Sequence, residues 1–129
     1  MKLDSMEFPS NKSVYDADGV EMRLCEVDGK LLPCFNMSNI TGVKDVQLRD
    51  DDVLLLGYPK TGCHWTWEVL SMMVAKNPIL SELGKGTSFL EMSSAENIDR
   101  TPSPRVLNSH LWFDFLPTQL AEEKKRNRL

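Results

Sequence analysis

The sequence lacks a long apolar run and an apolar segment near its first residue. A membrane-spanning helix needs about 18 or more consecutive apolar residues, and no such run occurs in the 129-residue chain. The polar start, residues 1–7, has no apolar core of the kind that a signal peptide requires. We therefore expect no membrane association and a cytoplasmic location.

A basic surplus and a cysteine framework are also missing. The formal net charge of −4 disfavours nucleic-acid binding, because nucleic-acid binders usually carry a basic patch. The three cysteines, Cys25, Cys34 and Cys63, are odd in number and form neither a Cys-x-x-Cys pair nor zinc-ligand spacing with a histidine. This pattern favours a reducing compartment and predicts no metal site.

Residues 53–76 form the most informative segment of the chain. An apolar strand is predicted over Val53–Leu56, a tight loop containing Lys60 follows, and a helix is predicted from about His64 to Lys76. The first amides of a helix have no intrahelical acceptor, the helix dipole adds positive potential, and the lysine adds a full charge. The segment therefore predicts a site for a phosphate or sulfate ester.

The loop differs from a Walker A motif, which places lysine after Gly-x-x-x-x-Gly and directly before Ser or Thr. Here the order over residues 58–62 is Tyr-Pro-Lys-Thr-Gly, with the lysine ahead of the glycine. A P-loop phosphotransferase would also need an acidic partner at the end of a later strand, and no suitable aspartate follows Val106–Ser109. A phosphotransferase of that type is therefore the least favoured reading.

The same five residues, followed by Trp65, resemble the phosphosulfate-binding loop of the cytosolic sulfotransferases, which usually reads Tyr-Pro-Lys-Ser-Gly-Thr-Thr-Trp. The acidic pair at residues 51–52 fits the family pattern. The later segment, residues 101–111, looks like the family's Pro-Arg-x-x-Lys-Thr-His-Leu segment. Two motifs in this order are more specific than either alone, and the resemblance covers roughly residues 30–125.

The resemblance implies sulfuryl transfer from 3′-phosphoadenosine 5′-phosphosulfate to a hydroxyl or amine of a small-molecule acceptor, with no metal. It implies His110 as the base that takes the acceptor's proton and Lys60 as the cation that stabilises the leaving phosphate. The implied nucleotide-binding residues are Lys60, Thr61, Gly62, Cys63, His64 and Trp65, and the implied substrate-binding residues are Asn108, Ser109 and His110. Trp65 is also available to stack on adenine.

Each of these side chains has a structural alternative. Cys63 is either a reactive thiol at a helix N-terminus or, as we favour, a small packed residue. His110 at a strand end is either a base or a structural histidine. Trp112 and Phe113 either line an apolar acceptor pocket or belong to the core. Met72 and Met73 are predicted to fill the core.

The order strand, loop, helix, strand, helix predicts an α/β fold with a P-loop-like parallel sheet and flanking helices. Residues 1–13 are expected to form a loose arm, and residues 14–129 the N-terminal part of a single sulfotransferase domain. The ligand is expected beyond the carboxyl ends of the strands, where Lys60 and His110 both lie.

Further elements follow from turn signals and periodicity. Asp18-Gly19 and Asp28-Gly29 predict turns around an antiparallel ribbon formed by Val20–Val27 and Lys30–Phe35. A calcium loop at Asp16 is disfavoured, because the remaining EF-hand ligands and the terminal glutamate are missing. The resemblance implies that residues 79–100 lie near the acceptor pocket, and we expect this segment to be flexible. We further expect a short helix or turn over residues 38–52, a strand over 105–109 and a helix from Leu116 or Pro117. On that last helix we expect an ion pair between Glu122 and Arg126.

Three positions depart from the family pattern. Cys63-His64 replaces two threonines, Asn108 replaces a lysine, and Trp112 replaces a proline. The sequence also stops at Leu129, before the strand that carries the family's ligands for the 3′-phosphate. We therefore expect an incomplete, N-terminal portion of the fold with poor stability, and a truncated non-catalytic module that binds nucleotide or phosphate is the alternative function. A homodimer of the full-length protein is left open.

Overall fold

A computed structural model describes residues 10–33, 36–80 and 84–126. The chain divides into two compact units, Met1–Phe35 and Asn36–Leu129. No helix in the described ranges is long and apolar enough to cross a membrane.

The first unit is a three-stranded antiparallel sheet. Its strands are β1 (Ser10–Tyr15), β2 (Glu21–Val27) and β3 (Lys30–Pro33), in the order β1-β2-β3. The sequence prediction of a loose arm over residues 1–13 is wrong for residues 10–13, which pair with β2. Residues 1–9, and Cys34 and Phe35 at the end of the predicted ribbon, lie outside the described residues.

Two turns connect these strands, as the aspartate-glycine pairs predict. Asp28 and Gly29 both have positive φ, 49° and 72°, which is typical of the two-residue hairpin turn that joins twisted strands. At the other turn, Asp16 Oδ1 accepts hydrogen bonds from the amides of Asp18 and Val20 at 2.9 and 2.8 Å. The hairpin interpretation of Asp16 is thus confirmed.

The second unit is α/β and contains a parallel pair of strands. Its helices and strands are α1 (Met37–Gly42), β4 (Val53–Leu56), α2 (Cys63–Ala75), α3 (Ala95–Arg100), β5 (Val106–Ser109) and α4 (Thr118–Arg126), and 3-10 turns lie at Val43–Asp45, Lys85–Ser88 and Phe113–Phe115. β4 and β5 run parallel, with Val53 opposite Val106 and Leu56 opposite Ser109. The predicted strand order and parallel sheet are confirmed.

The two strands differ in burial. All four residues of β5 are buried, whereas Val53–Leu55 of β4 are half-buried and Leu56 is exposed. Within the described ranges, β4 has a strand neighbour on one edge only. The open edge leaves apolar surface accessible, which agrees with the expectation of an incomplete sheet.

Helix α2 packs on β5 through Trp67. Its indole Nε1 donates a 2.8 Å hydrogen bond to the carbonyl of Val106, and the side chain is buried. Gly62 caps the N-terminus with φ 85°, and Lys76 ends the helix with φ 52°. The prediction that Met73 fills the core is wrong, because its side chain is 67% exposed.

Residues 84–100 are more regular than the predicted flexible loop. The 3-10 turn Lys85–Ser88 leads to a parallel bridge between Phe89 and Asn108, which places this segment beside β5. Helix α3 then begins at Ala95, where Ser94 accepts a hydrogen bond from the amide of Asn97. A six-residue helix is too short to show a clear apolar period, which explains why the sequence did not indicate it.

A buried ion pair holds the amino-terminal ends of the two parallel strands together. Arg105 donates from Nε to Asp52 Oδ1 at 2.8 Å and from Nη2 to Asp52 Oδ2 at 2.5 Å. The Arg105 side chain is fully buried and also donates to the carbonyls of Ile98 and Gln47. The amide of Val53 completes the connection by donating to the carbonyl of Arg105 at 2.9 Å.

The pKa of Asp52 reflects this pairing. Burial opposes ionisation and would raise the pKa, but hydrogen bonds from the Arg105 side chain and the Arg49 amide, together with the charges of both arginines, outweigh burial and lower it. A carboxyl whose pKa is lower in the folded state stabilises the fold above its unfolded pKa, and this stabilisation is lost as the pH falls through the folded pKa.

We expect Asp52→Asn to lower the free energy of unfolding by about 3 kcal/mol, because the buried Arg105 guanidinium loses its two short bonds to a carboxylate and keeps a longer contact of 3.9 Å with the partly exposed Asp99. Urea unfolding followed by circular dichroism at neutral pH measures this loss. The control is Glu96→Gln, which breaks an exposed pair with Arg100 and is expected to cost about 0.5 kcal/mol or less. Equal losses in the two variants would contradict a structural role for the buried pair.

The dependence of stability on pH in acid gives an independent check on the same ion pair. Below about pH 4 the parent chain loses the contribution of ionised Asp52, whereas Asp52→Asn has no such contribution to lose. The difference in unfolding free energy between the two chains therefore narrows as the pH falls. A difference that stays constant from neutral to acid pH would rule out the ion pair as its source.

Candidate active site

The candidate site lies at the carboxyl ends of β4 and β5, where Gly57 and His110 meet. The amide of Gly57 donates to the carbonyl of Ser109 at 3.3 Å, and the carbonyl of Gly57 lies 2.6 Å from Nδ1 of His110. The first bond extends the parallel pairing beyond Leu56 and Ser109, and the second attaches the His110 ring to the same residue. The loop that contains Lys60 and the histidine predicted as base are thus held on one edge of the sheet.

The contact with Gly57 assigns the tautomer of His110. A carbonyl oxygen only accepts hydrogen bonds, so Nδ1 carries the hydrogen and Nε2 of the neutral ring is the acceptor. The ring is half-buried and packs against Phe89 with ring centres 5.0 Å apart and an interplanar angle of 74°. The imidazole is therefore oriented from two sides, with the lone pair of Nε2 available to take a proton.

A carboxyl that the sequence analysis did not single out lies beside this histidine. Glu91 is fully buried, and its Oε1 accepts the backbone amide of His110 at 2.5 Å. Burial raises the pKa of Glu91. Three hydrogen bonds, from the amides of His110 and Glu91 and from the Ser109 side chain, oppose this rise only in part, and so does the charge of His110. In the sequence, the one indication that Glu91 is buried is its position directly after the apolar pair Phe89-Leu90.

The loop between β4 and α2, residues 57–62, folds tightly over Cys63. Thr61 Oγ1 donates to the carbonyl of Tyr58 at 2.7 Å, and the Cys63 thiol lies 3.7 Å from the same oxygen. A Cβ on Gly57 would collide with Cys63 Sγ, so this position requires glycine. Cys63 is buried, which agrees with the packing interpretation of its side chain.

The residues expected to bind an anion lie at the exposed end of this loop. Lys60 adopts a left-handed conformation with φ 66° and is exposed. The amide of Thr66 bonds to the carbonyl of Gly62 at 3.0 Å and begins the helical pattern, so the preceding amides of α2 have no intrahelical acceptor. The first turn of the 13-residue helix contains no acidic residue. The lysine and the free amides of the helix N-terminus thus belong to one exposed junction between loop and helix, where the helix dipole adds positive potential.

Two exposed side chains flank this point. His64 Nε2 lies 3.9 Å from Glu68 Oε1 one turn further along α2. Trp65 is 76% exposed. Its ring therefore presents a free face to a planar ligand, and an imidazole stands where the family pattern has a hydroxyl.

Asn108 and Ser109 occupy supporting positions in β5. Both side chains are buried. Asn108 Nδ2 donates to the carbonyl of Ser88 at 3.0 Å, and Ser109 Oγ accepts the amide of Leu111 at 3.0 Å. The contact of these two residues with substrate stays a prediction, and their contacts here support the segments on either side of His110.

The aromatic pair after β5 lies at the surface. Trp112 is 50% exposed and Phe113 is 45% exposed. The alternative that they belong to the core is wrong, and their role in an acceptor pocket stays a prediction. In the parts of the chain that the structure describes, no group of three or more His, Cys, Asp or Glu side chains is arranged to hold a metal ion.

Comparison with protein families gives a match to the sulfotransferase domain over residues 50–126, more than half of the chain. Human Sulfotransferase 1C2 is 29% identical over 115 residues, which cover 81% of this chain and 38% of that protein. Rabbit amine sulfotransferase is 31% identical over 100 residues, covering 70% of this chain and 32% of the relative. The chain thus spans about a third of the length of the curated relatives it matches.

Solved structures agree with the sequence match. Mouse sulfotransferase SULT7A1, solved in complex with PAP, aligns with a TM-score of 0.60 at 25% identity over 78% of this chain and 36% of its own. A putative steroid sulphotransferase from Arabidopsis thaliana aligns with a TM-score of 0.56 at 20% identity, over 88% of this chain and 45% of its own, and supports the fold. From its sequence motifs, its family match and its fold, the chain belongs to the sulfotransferase family.

Proposed function

We propose that this chain provides the donor-binding loop and the base of a cytoplasmic sulfotransferase. The reaction transfers a sulfuryl group from 3′-phosphoadenosine 5′-phosphosulfate to a hydroxyl or amine of a small-molecule acceptor. The observation that carries the proposal is the bond between Gly57 and His110, since it joins the anion-binding loop to an imidazole whose Nε2 is free to accept a proton. PAP in complex with mouse SULT7A1 supports a nucleotide of this type.

The loop suits a phosphate-bearing donor in charge and in geometry. The amides of residues 61–65 would donate to the 5′-phosphate, and Lys60 would hydrogen-bond the oxygen that links phosphate to sulfur. Trp65 has an exposed face for the adenine. The replacement of two family threonines by Cys63 and His64 leaves this role to backbone amides, with the exposed His64 imidazole beside them.

The proposed step moves one proton and one sulfuryl group. Nε2 of His110 takes the proton of the acceptor, while the acceptor oxygen or nitrogen forms a bond to sulfur. The bond between sulfur and the bridging phosphate oxygen breaks, and its electron pair leaves with adenosine 3′,5′-bisphosphate. Lys60 stabilises the negative charge that develops on that oxygen.

A second candidate is a non-catalytic module that binds the nucleotide or another phosphate. It is favoured by the short span of the chain, about a third of the matched relatives. Both candidates require the loop to bind an anion, and only the first requires proton transfer at His110. Nucleotide binding and turnover therefore separate them.

We expect Lys60→Ala to weaken the binding of adenosine 3′,5′-bisphosphate by about 10- to 100-fold, because it removes a charge-assisted hydrogen bond. Isothermal titration calorimetry or quenching of tryptophan fluorescence measures the affinity. Lys44→Ala is the matched control, since this exposed lysine lies in the 3-10 turn before β4. Equal affinity of parent and Lys60→Ala would exclude a contact between Lys60 and the nucleotide.

We expect His110→Ala to reduce sulfuryl transfer by about 10²- to 10⁴-fold, the usual contribution of a general base, while nucleotide affinity changes little. Transfer from labelled donor to a panel of phenols, alcohols and amines measures the rate. Normal turnover by His110→Ala would show that this histidine is not the base. A parent chain that binds nucleotide and transfers nothing would favour the second candidate.

A further inference from the structure

Glu91 is a buried ionisable group in direct contact with the backbone of His110, and it belongs to neither of the two sequence motifs. Its segment is held in place beside β5, because the amide of Leu90 donates to the carbonyl of Asn108 at 3.0 Å. The Asn108 side chain in turn binds the carbonyl of Ser88. The carboxyl therefore reaches His110 from a well-anchored backbone.

The position of Glu91 is costly for a charged group. The residue has no exposed surface, and its Oε2 has no hydrogen-bond partner among the residues that the structure describes. A buried, partly unpartnered carboxyl destabilises a fold unless it ionises against a compensating charge. A glutamine would accept the same amide of His110 without this cost.

The compensating charge available here is the imidazolium of His110. Protonated His110 is the charged side chain that favours ionised Glu91. A carboxylate at this position would also stabilise the positive charge that develops on the imidazole during proton transfer. On the neighbouring segments, Lys85 Nζ lies 5.1 Å from the ring centre of Phe89, which packs against His110, and Lys60 lies in the loop after β4.

We propose that Glu91 is a positioning residue for His110, which holds the histidine backbone through its amide and stabilises the imidazolium formed when Nε2 takes the acceptor's proton. This inference rests on the proposed function of His110 as a base. In this arrangement two partners orient the histidine. Gly57 holds the ring through Nδ1, and Glu91 holds the main chain and supplies the opposing charge.

Histidine NMR tests the proposal directly, because His64 and His110 are the two histidines of the sequence. In ¹⁵N-labelled Glu91→Gln, we expect His110 to keep its hydrogen on Nδ1, since the glutamine oxygen still accepts the backbone amide. The backbone amide resonance of His110 should move in this variant, because a neutral oxygen replaces the carboxylate oxygen that accepts the amide. His64, on the surface of α2, is the internal reference, and Glu96→Gln is the control variant.

The stability of the same variants separates positioning from a purely structural role. A carboxyl whose pKa is raised by folding makes the folded state less stable as the pH rises from the ordinary value of 4.5 through the raised value. Glu91→Gln should therefore have a higher melting temperature than the parent at neutral pH, and a smaller change in melting temperature between pH 5 and pH 7. A lower melting temperature at neutral pH would contradict this reading.

Steady-state kinetics distinguish the role of Glu91 from the proposed sulfotransferase function of the chain. Glu91→Gln should lower kcat about tenfold with little change in the KM for the donor, because charge stabilisation acts in the transition state. An unchanged amide resonance of His110 together with an unchanged kcat in Glu91→Gln would overturn the role of Glu91. A parent chain that transfers no sulfuryl group would contradict the proposed function, while the histidine spectra would still decide whether Glu91 acts on His110.

Discussion

The structure of the second unit depends on the buried guanidinium of Arg105. Its two hydrogen bonds to Asp52 tie the residue before β4 to the residue before β5, and its bonds to Ile98 and Gln47 add the end of α3 and the segment before β4. Because the side chain is fully buried, each missing partner would leave a charge without compensation. The register of the parallel pair is thereby fixed at its amino-terminal end, and Gly57 and His110 meet at the other end as a consequence.

This arrangement explains why the local motif was predictable and its surroundings were not. The strand over Val53–Leu56 and the helix after it follow from apolar patterning and from glycine and lysine in one short loop. The partners of Arg105 lie up to 58 residues away in the chain, and no local pattern indicates them. The contact of Glu91 was not predicted for the same reason, since its partner His110 is 19 residues away.

The two predictions that were wrong, for residues 10–13 and for Met73, failed for similar physical reasons. Residues 10–13 are polar, and their strand depends on pairing with β2. Met73 follows the apolar composition of α2 but lies on the exposed side of the helix, because β5 covers only the side that contains Trp67. β4 is likewise half-buried in the part of the chain that the structure describes, and the chain spans about a third of the length of its matched relatives.

The central claim is that the loop after β4 and the histidine after β5 form one nucleotide-responsive site. A titration of the ¹⁵N-labelled chain with adenosine 3′,5′-bisphosphate, followed by amide and imidazole NMR, tests it most directly. The account predicts that the amides of residues 61–65 and the imidazole of His110 shift together with a single dissociation constant. Shifts confined to other segments, such as residues 84–88, or loop shifts without any response of His110, would contradict a shared site.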